Sequence, residues 1–541
     1  MKKIIFIILL LFFPGILISQ VQLDWVQRYH GPGNGFDRPN ALAVDKQGNV
    51  YVTGESYGNG TNCDYVTIKY NTFGIQQWIA RYNGPGNDFD AAKAIAVDDS
   101  GNLFVTGMSV GNGTVYDYAT IKYNSSGTEQ WVSRFNGPGN NTDVALSIAL
   151  DNNGNVYVTG ESYGTDYDFT TIKYSSTGVQ QWVQSYVSSG GDCGYSVVTD
   201  LYGNVYVTGE GGTWSFNGWD YITIKYNSSG IQQWISTYSG TGSGLDIASH
   251  IVLDEFDNVI VTGWSRIGLL DSTSDFVTVK YNDSGVQQWS QRYNGPGNNW
   301  DRAYSLGTDS IGNVYVTGGS SGNGTGTDYV TIKYNSSGSQ QWIQRYNGPG
   351  NSEDTSFSIS VDSMGNVYIT GGSIGNGTGS DFATVKYNEL GEQQWVQRYN
   401  GPSNGDDISY AIAVDPYGNV YVTGQSKGNG NFSELATIKY SQQIGVRKIS
   451  SGIPSICELS QNYPNPFNPS TTINYQLPSA GNAKLIVYDI LGREVATLVN
   501  EYQQPGKYQV TWDASNYSSG VYFYKLAAGD FTDTKRMMVI K

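Results

Sequence analysis

The heptapeptide GNVYVTG at Gly48 to Gly54 recurs as GNLFVTG at Gly101, GNVYVTG at Gly154 and Gly203, and DNVIVTG at Asp257, then as GNVYVTG at Gly312, GNVYITG at Gly365 and GNVYVTG at Gly418. Eight copies about 53 residues apart exclude a single ordinary core and require a chain of equivalent units packed against one another. Each unit holds four strand-like runs, exemplified by ALAVD from Ala41, NVYVTG from Asn49, DYVTIKY from Asp64 and QQWIARY from Gln76. These are lettered A, B, C and D. The joins DKQGN, SYGNGTN, NTFG and NGPGNDFD are turn chemistry, and no helical periodicity intervenes. A four-stranded antiparallel meander repeated about an axis is a β-propeller blade.

The ends of the array predict how it closes. DWVQRY at Asp24 to Tyr29 is a D run with no A, B or C before it, and ATIKY at Ala436 to Tyr440 is a C run with no D after it. Strand D around Trp25 should complete the last unit and hide two sheet edges. The expected fold is all-β, an eight-bladed β-propeller over residues 20–440 closed by its N-terminal strand. A linker at 441–458 and a small Ig-like β-sandwich at 459–541 come after it, the latter read from short alternating runs such as TTINYQL and GVYFYKLAAG.

Composition agrees, with 69 Gly for turns and 42 Tyr for pleated, half-buried surfaces. Residues 1–19 pair Lys2 and Lys3 with an apolar run and small residues, the layout of a signal peptide cleaved near Ser19. No later segment is apolar enough to cross a membrane as a helix. Cys63, Cys193 and Cys457 form neither a disulfide framework nor a C-x-x-C metal site, and a Cys63–Cys193 bridge is the less favoured reading. Between Val21 and Tyr440 there are 20 Lys and Arg against 40 Asp and Glu, a net charge of −20 that repels phosphate backbones and argues against nucleic acid.

Most repeated polar positions read as scaffold. The Asp before each A-to-B turn (Asp45 and its equivalents) suits a turn cap. The Lys of strand C (Lys69, Lys122, Lys173, Lys225, Lys280, Lys333, Lys386, Lys439) is expected to pair with those carboxylates. The Trp of strand D should fill the widening gap between blades. Two further acidic sets lie on one face of the disc. Asp64 and its equivalents precede strand C, while Asp37, Asp90, Asp143, Asp246, Asp301, Asp354 and Asp407 precede strand A and form a ring that could hold cations such as Ca2+. No catalytic residue stands out; His30 and His250 accompany no nucleophile signature.

Two resemblances add to this. AVDKQGNVYVTGES and its copies resemble the bacterial SBBP β-propeller repeat, whose name implies seven blades where the count here is eight. Residues 459–541 resemble the C-terminal sorting domain of type IX secretion cargo, through YPNPFNPSTTINYQLP at Tyr463, VYDILGREVATLV at Val487, PGKYQVTWDA at Pro505 and SGVYFYKLAAG at Ser519. That resemblance implies recognition by the type IX machinery, passage across the outer membrane of a Bacteroidetes-type bacterium, and a secreted or surface location. The function expected is a non-catalytic binding or adhesion module for a polysaccharide or surface protein, with a carbohydrate-active hydrolase or lyase as the alternative. An enzyme needs residues that break the repeat together on one face. The irregular stretches EGGTWSFNGWDY and GWSRIGLLDSTSDF select Trp214, Trp219, Trp264 and Arg266 as ligand-binding candidates.

Overall fold

In strand B of the first repeat Val50 and Val52 alternate with Tyr51, and both faces of the strand are buried. A strand buried on both faces must lie inside its sheet with a neighbouring sheet on either side, and this dictates the architecture. Val50, Val52, Val66, Ile68 and Tyr70 pack on Tyr421 and Leu435 of the last repeat. Tyr51 and Tyr65 turn the other way and pack on Leu103, Val105 and Ile121 of the second. The repeat thus carries an aromatic face that fits its own aliphatic face, a head-to-tail interface that closes into a ring when the rotation allows.

The computed structural model describes residues 21–212, 218–240, 244–268, 273–416, 418–430, 432–442, 447–450, 454–514 and 517–540, so the leader read at 1–19 lies outside the described residues. Two compact units result, Leu23–Ser441 and a second containing Gln442–Lys541. Among the described residues the first unit is a β-propeller of eight four-stranded antiparallel sheets. They span 37–82, 90–135, 143–186, 193–238, 246–293, 301–346, 354–399 and 407–442, and are numbered sheets 1 to 8. The last is completed by Val21–Tyr29, which lies beside Ser433–Gln442 in the order D, C, B, A. Strands A lie innermost and touch in an unbroken circuit, that of sheet 8 meeting that of sheet 1.

Every strand A carries a β-bulge at one place, for example between Pro39 and Ala41 and between Ala303 and Ser305. A bulge removes one residue from the ladder and re-aims it. The residues so displaced are Asn40, Lys93, Leu146, Tyr195, Ser249, Tyr304, Phe357 and Tyr410. Tyr recurs at three of these positions and the other five differ, although the bulge does not.

In the second unit two four-stranded sheets share one core, which includes Ile473, Tyr475, Leu485, Val510, Trp512 and Leu526. Arg447–Ser450, inside the stretch read as a linker, is an edge strand of one of these sheets. The YPNPFNP segment is tied down by buried Asn462, whose side-chain amide donates to Thr471 Oγ1 at 2.8 Å.

Candidate functional site

The repeated carboxylates are occupied within their own sheets. Asp45 accepts the backbone N–H groups of Gln47 and Asn49, the Asn49 amide and the Tyr51 hydroxyl, all within 3.0 Å. The ring before strand A is fully buried, Asp37, Asp90, Asp143, Asp301, Asp354 and Asp407 being 0% exposed and Asp246 1%. Asp90 shows why, since it accepts Gly84 N–H at 2.6 Å and Val110 N–H at 3.0 Å and so ties the D-to-A loop to strand B. Burial raises the pKa of each of these seven groups. Among the described residues no three His, Cys, Asp or Glu side chains are grouped to hold a metal ion.

The set before strand C makes ion pairs that spacing alone did not reveal. Arg81 meets Asp64 at 2.8 Å, Arg134 meets Asp117 at 2.7 Å, Arg345 meets Asp328 at 2.8 Å and Arg398 meets Asp381 at 2.7 Å. In sheets 3 and 4 the arginine position is taken by Ser185 and Thr237. Burial there raises the pKa of Asp168 and Asp220.

The strand C lysines depart from expectation. Lys280 does bond Asp254 at 2.7 Å, but Lys69, Lys122, Lys173 and Lys333 donate to C-to-D turn carbonyls of the next sheet, and each ammonium rests about 5 Å from an aromatic ring of strand B. The C-to-D turn of the next sheet offers these lysines a carbonyl, while the oxygens of a turn-cap carboxylate such as Asp45 are already engaged by Asn49 and Tyr51. The strand D indoles do sit between sheets, Trp78 lying 6.1 Å from Tyr51 and 6.2 Å from Tyr123 and donating to Ser125 O. The three cysteines are free thiols. His250 is half-buried, its Nδ1 accepting Leu306 N–H, and desolvation lowers its pKa to about 4.

The residues that break the repeat gather at one end of the ring, where strands A begin and strands B end. On sheets 5 to 8 an arc of rings runs from Trp300 to Tyr304 (6.4 Å), Phe357 (5.4 Å) and Tyr410 (6.0 Å), where the Arg38 guanidinium closes it 4.7 Å from the Tyr410 centroid. Trp264 adjoins this arc, with Arg302 4.2 Å and Arg266 5.3 Å from its ring. On sheets 1 to 4 the same end is acidic. Lys93 lies 3.6 Å from Glu55, and the Tyr195 hydroxyl donates to Glu210 at 2.9 Å. Burial first, then Glu161 and Asp192, raises the pKa of Glu210 to about 7. The mouth therefore has an aromatic, arginine-bearing half and an acidic half.

Of the four sequence candidates, Trp264 and Arg266 come together in this mouth. Trp219 opens strand C of sheet 4 opposite Gly212, and Trp214 lies outside the described residues. Sequence reasoning missed Trp300, Arg302, Tyr304, Phe357 and Tyr410, because irregular loop lengths select candidates and these residues sit in or beside strands of ordinary length. The signal that marks them is the variation, from repeat to repeat, of the residues flanking the strand A aspartate.

A family profile described as "Secretion system C-terminal sorting domain" matches residues 461–541, and one described as "Beta-propeller repeat", the SBBP repeat, matches 24–60, 130–168 and 394–432. The chain carries SBBP propeller repeats and a type IX sorting domain. It is therefore a secreted or outer-surface protein. No curated protein matches it. Among solved structures, the β-propeller domain of the Trilobed protease from Pyrococcus furiosus is 7% identical with a TM-score of 0.38, covering 68% of this chain and 100% of that one. A fungal alcohol oxidase of the AA5 family in complex with copper is 13% identical with a TM-score of 0.38, covering 82% and 96%. Likenesses this weak bear on no site.

The opposite end of the propeller's ring has a cavity of about 400 Å³ lined by A-to-B turns, including Asp200, Asp254, Asp309 and Asp362. Four of its carboxylates are turn caps such as Asp200, which accepts Asn204 N–H and the Tyr206 hydroxyl, and Glu255 and Asp257 line it as well. Turn-cap aspartates and variable turn residues such as Leu201, Glu255 and Asp257 line that end, whereas the unrepeated aromatic and arginine side chains line the mouth.

Proposed function

We propose that the chain is a non-catalytic binding module, an eight-bladed propeller exported and delivered to the cell exterior by an Ig-like sorting sandwich. The observation that carries this is the gathering of unrepeated aromatic and arginine side chains at one mouth. Half-buried Trp300, Tyr304, Phe357 and Tyr410 offer ring surfaces of the kind that pack on the apolar faces of sugars, with guanidinium donors beside them. A polysaccharide is the ligand class this arrangement suits.

Calorimetric titration of the secreted protein with a panel of neutral and acidic polysaccharides tests the reading. Saturable binding without product is expected, weakened about tenfold in Trp300→Ala through loss of one stacked ring. Heat with none of them would overturn it. One observation favours a second reading, a hydrolase or lyase, because Glu210 keeps its proton near neutrality beside Glu161, as a general acid must. Product formation abolished by Glu210→Gln would put that reading first.

A further inference from the structure

Guanidinium groups in this propeller meet carboxylates as a rule, as the arginines of strand D show. Arg266 and Arg302 depart from that rule. Among the described residues neither makes an ion pair, and the Nε of each is buried without an acceptor. They share one indole, and Arg302 is held between Trp264 at 4.2 Å and Trp300 at 5.1 Å. Burial presses Arg302 below the ordinary arginine pKa, partly opposed by Tyr304, and the Arg266 charge adds to the depression. Two like charges against one indole, each with a buried Nε that lacks an acceptor, are costly on their own, and an anion bound by both offsets that cost.

We propose that Arg266 and Arg302 form an anion-binding subsite for the carboxylate or sulfate group of an acidic polysaccharide. The proposal deepens the binding reading above and rests on it for the saccharide part. Guanidinium forks match the planar or tetrahedral oxygens of either group, and the stacked indoles hold the forks in place without neutralising them. The neighbouring arc from Trp300 to Tyr410 provides the surface along which the sugar rings would run. A propeller of net charge −20 repels polyanions in general, so retention of an acidic glycan requires a local site of this kind.

The test compares the whole secreted protein with Arg266→Gln/Arg302→Gln in titrations against oligogalacturonate, sulfated dextran, unmodified dextran and polyglutamate. The double variant should bind the acidic saccharides at least about tenfold more weakly, the worth of one or two charge-assisted hydrogen bonds, a loss well beyond that for unmodified dextran. Preference for oligogalacturonate assigns a carboxylate, and preference for sulfated dextran a sulfate ester. Equal binding of acidic saccharides by variant and wild type overturns the subsite. Polyglutamate binding as tight as oligogalacturonate overturns its saccharide specificity.

Inorganic sulfate separates this failure from failure of the polysaccharide reading. Because sulfate also stabilises proteins by exclusion, the informative quantity is the difference in thermal shift between wild type and variant. A larger shift in wild type with no saccharide bound retains the anion subsite and removes the polysaccharide, whereas equal shifts with no saccharide bound overturn both. Without ligand the variant should melt no earlier than wild type, since it loses a repulsive pair. An earlier melt would assign the arginines a structural role instead.

Discussion

Each repeat position has its chemistry fixed by its neighbours, and Glu210 shows this for one residue. It is 7% exposed, receives one hydrogen bond from Tyr195 and among the described residues pairs with no cation, so burial raises its pKa to about 7. A carboxyl whose folded pKa exceeds its unfolded value gives stability that is present below the unfolded pKa of 4.5 and is lost as pH rises through 7. Glu210→Gln should therefore be more stable than wild type by about 2–3 kcal/mol at pH 8 and nearly equal to it at pH 4. Urea unfolding at the two pH values checks this. A difference that does not change with pH would show that folding leaves the Glu210 pKa unshifted. The turn glycines make a second case. Gly127 has φ +82, and a Cβ there would lie 2.6 Å from the Trp78 ring of the preceding sheet. Gly127→Ala should cost about 1–3 kcal/mol, from backbone strain together with a displaced indole, as read from the thermal midpoint.

At the scale of the element, the sheet was legible and its partnerships were not. The alternation of Val and Tyr in GNVYVTG and the turn residues between runs define four strands, because side-chain period and turn chemistry are local properties. The bulge in strand A is not local in this sense. It arises where the innermost strand twists against strand B, and it puts Tyr304, Phe357 and Tyr410 in contact across neighbouring sheets. The pairing of Arg134 with Asp117 was hidden for a similar reason, since 17 residues and a strand reversal separate them. Arg134→Met leaves a carboxylate with 8% side-chain exposure uncompensated and should cost about 2 kcal/mol, whereas adding Asp117→Asn should restore most of the loss. A double-mutant cycle measures that coupling, and simple additivity would mean the pair contributes nothing. Sheets 3 and 4 already live without the arginine, so the fold tolerates its removal.

For the whole molecule, the complementary ends were the most informative feature, because a D run at the start and a missing D at the finish allow few other arrangements. Deleting Val21–Tyr29 should expose the edge of Ser433–Gln442, lower the melting temperature and produce concentration-dependent association, seen by light scattering. A deletion variant that stays monomeric with an unchanged melt would mean that the strand closes nothing. The location of the mouth was only half legible. Trp264 and Arg266 announced themselves by irregular flanks, but Arg302 sits after an aspartate in a strand of ordinary length and gains meaning only from the sheet next to it. Recognition is held to occur where the repeat is broken. Hydrogen exchange of the secreted protein with and without saturating oligogalacturonate probes this at every sheet at once. Protection should be confined to the mouth, at residues 244–268, 298–305 and 354–358, with the A-to-B turns unchanged. Protection at those turns instead, around Asp200, Asp254 and Asp309, would place recognition at the opposite end of the ring and refute a site at the mouth.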